Sequence, residues 1–137
     1  MAKDPAARGL EKGRAGQSLA ELSIVFVLFV VVTFGIVDAG RMIFAYNAVS
    51  LSAREGVRYA IVRGSASTQP ATEADIRTFV RSKTVGVPVD VAVNWPDGTA
   101  DPGKAVEVTV TSAFTPVTPF APGPINLASS SRMLISR

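Results

Sequence analysis

The sequence predicts an α+β protein: a long N-terminal helix, transmembrane in its first part and amphipathic in its second, plus a small antiparallel β-sheet domain with one short helix. Three observations predict it. An uncharged apolar run extends from Leu22 to Val37. From Met42 the apolar positions recur at spacings of three and four, and beyond residue 88 the period changes to two. The chain divides accordingly into a basic leader (1–16), a long helix (17–64, its membrane part over about 22–44) and an extracytoplasmic α+β head (65–137) packed on the distal helix.

The apolar run holds 37 − 22 + 1 = 16 residues, about 24 Å of helix at roughly 1.5 Å per residue. A bilayer core is about 30 Å thick, so the span continues through Met42-Ile43-Phe44. Asp38 and Arg41, three apart, pair on the helix and mark the membrane boundary. Lys3, Arg8, Lys12 and Arg14 precede the run and favour a cytoplasmic N-terminus, which turns the C-terminal part outward. Beyond the boundary, Met42, Tyr46, Val49, Ala53, Val57 and Ala60 form an apolar stripe, with Asn47, Ser50, Arg54, Glu55 and Arg58 beside it. Arg54, Glu55 and Arg58 are candidate helix-surface contacts, and a solvated face is their default role. The helix is expected to run from about Gln17 to about Arg63 and to stop at Gly64.

After a turn-prone linker at 65–70, Thr72 and Asp75 form a capping pattern for a second helix with Ile76, Phe79 and Val80 facing inward, ending near Thr84. Val89, Val91, Val93 and Trp95 alternate with polar residues in a first strand, and Pro96-Asp97-Gly98 turns the chain. Val106, Val108, Val110 and Phe114 mark a second strand. Pro116, Pro119, Pro122 and Pro124 make the following stretch a loop or edge. Ile125, Leu127, Met133 and Ile135 suggest a third strand returning to the sheet.

Composition excludes most chemistry. The chain has no Cys and no His, which removes thiolate nucleophiles, Ser-His-Asp arrangements and Cys/His zinc sites. The glycines are scattered rather than gathered into a phosphate loop. No catalytic residue, cofactor, metal or small-molecule substrate is predicted. Much of the excess behind the net charge of +3 sits in the leader, where residues 1–16 carry four basic and two acidic side chains, against nine basic and seven acidic over residues 42–137. Topology explains that excess, and no basic stripe interleaved with aromatics points to nucleic acid.

Three segments carry a family resemblance: Gly16-Gln17-Ser18-Leu19-Ala20-Glu21, Val37-Asp38-Ala39-Gly40-Arg41, and Ala53-Arg54-Glu55-Gly56-Val57-Arg58-Tyr59-Ala60. Together they resemble the TadE-like pilin-related proteins of tight adherence (Flp) pilus systems, most strongly over residues 14–60. The resemblance implies a membrane-held minor pilin or pseudopilin that assists assembly of a type IV-like pilus. Its partners would be other pilin-like subunits, the assembly platform and, where the leader is removed, a prepilin peptidase. Cleavage would fall between Gly16 and Gln17, leaving 137 − 16 = 121 residues and Glu21 at mature position five. A carboxylate at a bilayer edge must snorkel or meet a cation, and the new α-amine of a neighbouring subunit could supply one. Both roles for Glu21 stay open at this stage.

Two other functions fit the residues. A secreted or periplasmic binding module would arise if the apolar run were an export signal cut at Val37-Asp38-Ala39. A membrane-anchored domain unrelated to pili would keep the helix and make no subunit contacts.

Overall fold

The computed structural model describes residues 5–118, 121 and 123–136, with side chains from residue 16 onward. Lys3, Pro119 and Pro122 lie outside the described residues. Helix α1 spans Pro5–Ile61, α2 spans Glu73–Lys83, and strands β1 (Asp90–Asn94), β2 (Ala105–Phe114) and β3 (Ile125–Leu134) follow. The strands form one antiparallel sheet in the order β1-β2-β3. The fold is therefore α+β, with a long apolar helix, one short helix and a three-stranded sheet.

Helix α1 is 57 residues long, about 86 Å at roughly 1.5 Å per residue. It opens at Pro5, ahead of the expected start near Gln17, and no β-branched residue interrupts positions 6–15. At the other end Gly64 does not serve as the stop. The helix ends at Ile61, whose carbonyl accepts from both the backbone N–H and the hydroxyl of Ser136. The last residues of the chain thus satisfy a helix end that the sequence assigned to a glycine, and Gly64 is absent from the glycines with positive φ.

Two clusters bury the helix-facing side of the sheet. The larger joins Val49, Ala53, Val57 and Ala60 of α1 to Ile76 and Val80 of α2, Val91 and Val93 of β1, and Val106, Val108 and Val110 of β2. The smaller lies nearer the middle of α1, where Ala45 meets Phe114 and Leu127. Ala45 takes the stripe position expected for Tyr46, which is 52% exposed. Both residues fit the helical spacing, and it is over Ala45 that Phe114 of β2 and Leu127 of β3 close. The outer sheet face is polar: Thr109 donates to Ser130, which donates to Glu107.

Gly56 sits where α1, α2 and β2 meet. A Cβ there would lie 2.6 Å from Val80 Cγ2 and 3.1 Å from Val108 Cγ1. Both valines are fully buried and β-branched, so neither yields easily. Helix α2 is fixed at its start by a reciprocal cap: the Asp75 N–H donates to the Thr72 hydroxyl, and the Thr72 N–H donates to the Asp75 carboxylate. At its end the Thr84 hydroxyl donates to the Val80 carbonyl and accepts from the buried Ser52 of α1. Tyr59 stacks on Phe79 at 4.2 Å, with the Arg63 guanidinium 4.0 Å from the Tyr59 centroid.

Crowding a packed core costs about 1–3 kcal/mol, while replacing a helical glycine by alanine returns about 1 kcal/mol. Gly56→Ala is therefore expected to destabilise the head by about 1 kcal/mol, and Gly56→Val by more. The urea midpoint of the detergent-solubilised full chain, followed through Trp95 fluorescence, measures both. Val80→Ala added to Gly56→Ala should cost less than the sum of the single changes.

The Asp75 carboxyl is held below its ordinary range by the Thr72 N–H and then the Thr72 hydroxyl, with desolvation opposing them. Its folded pKa is depressed, so the stabilisation is complete above the ordinary Asp value of about 4 and fades as pH falls through that value toward the folded one. Amide protection in α2 should fall as pH drops below about 4. The fall should be smaller in Asp75→Asn, which starts from lower stability at neutral pH.

Candidate functional site

The candidate site is α1 itself, read from the junction at Gly16 to the end of the stripe. Gly16, Gln17 and Glu21 are all exposed on the helix. Leu22, Ile24, Val25, Phe26, Val27, Leu28 and Phe29 are each between 58% and 71% exposed. Consecutive residues step about 100° around a helix, so six in a row cover its whole circumference. A helix apolar all round and covered by nothing suits lipid rather than water. Its hydroxyls are satisfied internally, with Ser23 donating to the Leu19 carbonyl and Thr33 to that of Phe29, each at 2.8 Å. Helix α1 is long and apolar enough to cross a bilayer.

At Asp38 the environment changes. Asp38 is only 8% exposed, because the loop after β2 closes over it. Oδ1 accepts from the Val117 N–H at 2.9 Å and from Arg41 Nη1 at 3.0 Å. Oδ2 accepts from the Val117 N–H at 3.0 Å, the Thr118 N–H at 2.8 Å and the Thr118 hydroxyl at 2.5 Å. The same Arg41 nitrogen reaches the Thr115 carbonyl at 3.5 Å, and its guanidinium lies 5.3 Å from the Phe114 ring centroid. Asp38 and Arg41 do form the expected ion pair, but the larger part of the Asp38 bonding goes to a loop some 80 residues away in sequence. Sequence analysis missed that clasp. Its one signal was the oddity of an acid inside an apolar helix, and nothing local named Val117 or Thr118 as partners.

Arg54 and Arg58 are exposed and Glu55 is half-buried. Among the described residues the ion pairs are Arg41–Asp38, Arg77–Glu73 and Arg81–Asp90, so Glu55 and Arg58 do not pair despite their spacing. Gly35 and Gly40 have open space at the Cβ position, unlike Gly56. Among the described residues no group of acids could hold a metal ion.

Asp38→Asn replaces one acceptor oxygen by an NH2 group that faces backbone donors in either orientation. Native-state hydrogen exchange should show reduced protection at Val117 and Thr118. Arg41→Gln keeps the acceptor set and should reduce it less.

Residues 16–58 match the family model described as TadE-like protein. Comparison with curated proteins and with solved structures gives no match. The matched segment begins at the junction glycine, runs through the bare apolar helix and the Asp38 clasp, and ends within the buried stripe. Residues 16–58 of the chain are thus similar to TadE-like proteins, a likeness that points to tight adherence pili.

Proposed function

We propose that this protein is a minor pilin or pseudopilin: a single-pass subunit of the inner membrane that assists assembly of a tight adherence pilus. The observation that carries this is the coincidence of the TadE-like match with a helix that is apolar all round from Leu22 to Val37 and one-sided from Ala45. That helix gives the chain two surfaces for assembly. The bare part packs among other pilin-like helices in the membrane, and the head presents its outer faces to partners and to the assembly platform.

The clasp bears on how deep Glu21 lies. Seventeen residues separate Glu21 from Asp38, about 25 Å of helix at roughly 1.5 Å per residue. With the head beginning at Asp38, at the outer edge of a hydrocarbon core about 30 Å thick, Glu21 falls about one helical turn inside the inner edge. There a carboxylate gains most from a cation. Removal of the leader after Gly16 would create one at Gln17, and Glu21 of one subunit would pair with the α-amine of another. The basic leader keeps the N-terminus cytoplasmic.

The clasp also weighs against an export signal cut after Ala39. Such a cut would remove Asp38 and leave the N–H groups of Val117 and Thr118 without their acceptor. An anchored domain unrelated to pili accounts for the helix but not for the TadE-like match.

Mass spectrometry of the native membrane-bound chain is expected to find an N-terminus at Gln17. Glu21→Ala is expected to reduce crosslinked recovery of other pilin-like subunits while leaving the chain in the membrane. A soluble chain starting at Gly40 would overturn the proposal.

A further inference from the structure

The head has two ends, and they differ in character. Helix α2 runs back along α1 from Ala71, bonded to the Arg63 carbonyl, past Val80 at Gly56 to Thr84 at Ser52. The segment 84–89 therefore lies at the end of the head nearest the bare helix. Strand β2 descends to the same end, where Phe114 packs on Ala45 and the next residues reach Asp38. This underside is charge-free in sequence. Residues 84–89 contain no Asp, Glu, Lys or Arg, and none occurs between Glu107 and Arg132. The opposite end carries Arg63, Asp97, Asp101 and Lys104.

Apolar side chains project from the underside. Val85 is 80% exposed and Val117 is 54% exposed, with Gly86, Pro88 and Pro124 exposed beside them. A cleft of about 460 Å³ opens there, lined by Gly40, Arg41, Phe44, Val87, Pro88 and Phe114 among others. Arg41 lies at its edge and is paired with Asp38, which the loop donors otherwise enclose, and Asp90 is paired with Arg81.

We infer that this underside, the 84–89 loop together with Val117 and Pro124, seats on the bilayer surface from which α1 emerges. The inference rests on α1 spanning that bilayer. The occupant is lipid because the patch stands beside the point where the bare helix ends, so the anchor holds it against the interface. Val85 and Val117 enter the boundary between headgroups and acyl chains, a shallow seat of about 5–10 Å. Arg41, paired with Asp38, stands at the level of the headgroups with its apolar stem along the patch. Helix α1 and the head packed on it are thereby held at a fixed tilt to the bilayer, with the polar sheet face and the far loops left free for partners.

The chain has no native Cys, so single cysteines can be introduced and labelled with an environment-sensitive fluorophore. Val85→Cys, Val117→Cys, Phe29→Cys and Thr68→Cys are made in the full chain and reconstituted into phosphatidylcholine–phosphatidylglycerol vesicles. Quenching by nitroxide-bearing lipid is compared with quenching by aqueous iodide. The expected result is lipid quenching and iodide protection at positions 29, 85 and 117, with the reverse at 68. Lipid quenching at 29 with iodide access at 85 and 117 overturns the seat and leaves the anchor standing. Shielding of 85 and 117 from both quenchers, lost on dilution with lipid, assigns the patch to a second copy and also overturns it. Iodide access at 29 removes the spanning helix and the seat together.

Discussion

The head of this protein borrows one wall of its core from the anchor. A three-stranded sheet with one apolar face and an 11-residue helix cannot enclose a dry interior by themselves. The missing wall is the stripe Ala45, Val49, Ala53, Val57 and Ala60 of α1, every member of which is 6% exposed or less. Those side chains are small, so the helix axis can lie close to the sheet, and Gly56 brings it closest, where α2 and β2 press on it together. The head can therefore form only where the helix is already present and in register.

The same helix must satisfy a second solvent. From Leu22 to Val37 it is apolar on every face, and from Ala45 on one face only. Asp38 stands between these regimes, and the chemistry of a carboxylate suits that place. It accepts without donating, so it can bind the consecutive N–H groups of a proline-rich loop while its remaining charge is met by Arg41. The loop could not fasten to a leucine or an alanine there. This contact ties the lower end of the sheet to the helix, as the Ser136 contact with the Ile61 carbonyl ties the upper end. The head is held at both ends of the segment it packs on.

Much of this was legible in the residue pattern, and the places where it was not share a cause. The three strands, the Thr72–Asp75 cap and the inward residues of α2 follow from local alternation and spacing. Tyr46 was expected in the stripe and Ala45 occupies it, because spacing permits both and the position of the strands, with Phe114 and Leu127 over Ala45, decides between them. Gly64 was expected to stop α1, whereas a serine from the other end of the chain satisfies the last carbonyl. Glu55 and Arg58 have the spacing of an ion pair and do not form one among the described contacts, since an exposed pair gains little over hydration.

The sequence by itself determined the order and type of the elements, the stretch suited to lipid and the exclusion of thiol and imidazole chemistry. Those properties are set by side chains a few positions apart, or by residue types that are simply missing. Only the tertiary structure decided that Asp38 receives residues 117 and 118, that Gly56 is the point of closest approach, and that the uncharged loops share one end of the head. Each of these joins residues separated by tens of positions, and no periodicity encodes such a meeting. It arises when burying the valines of the sheet forces the chain to fold back along its own anchor.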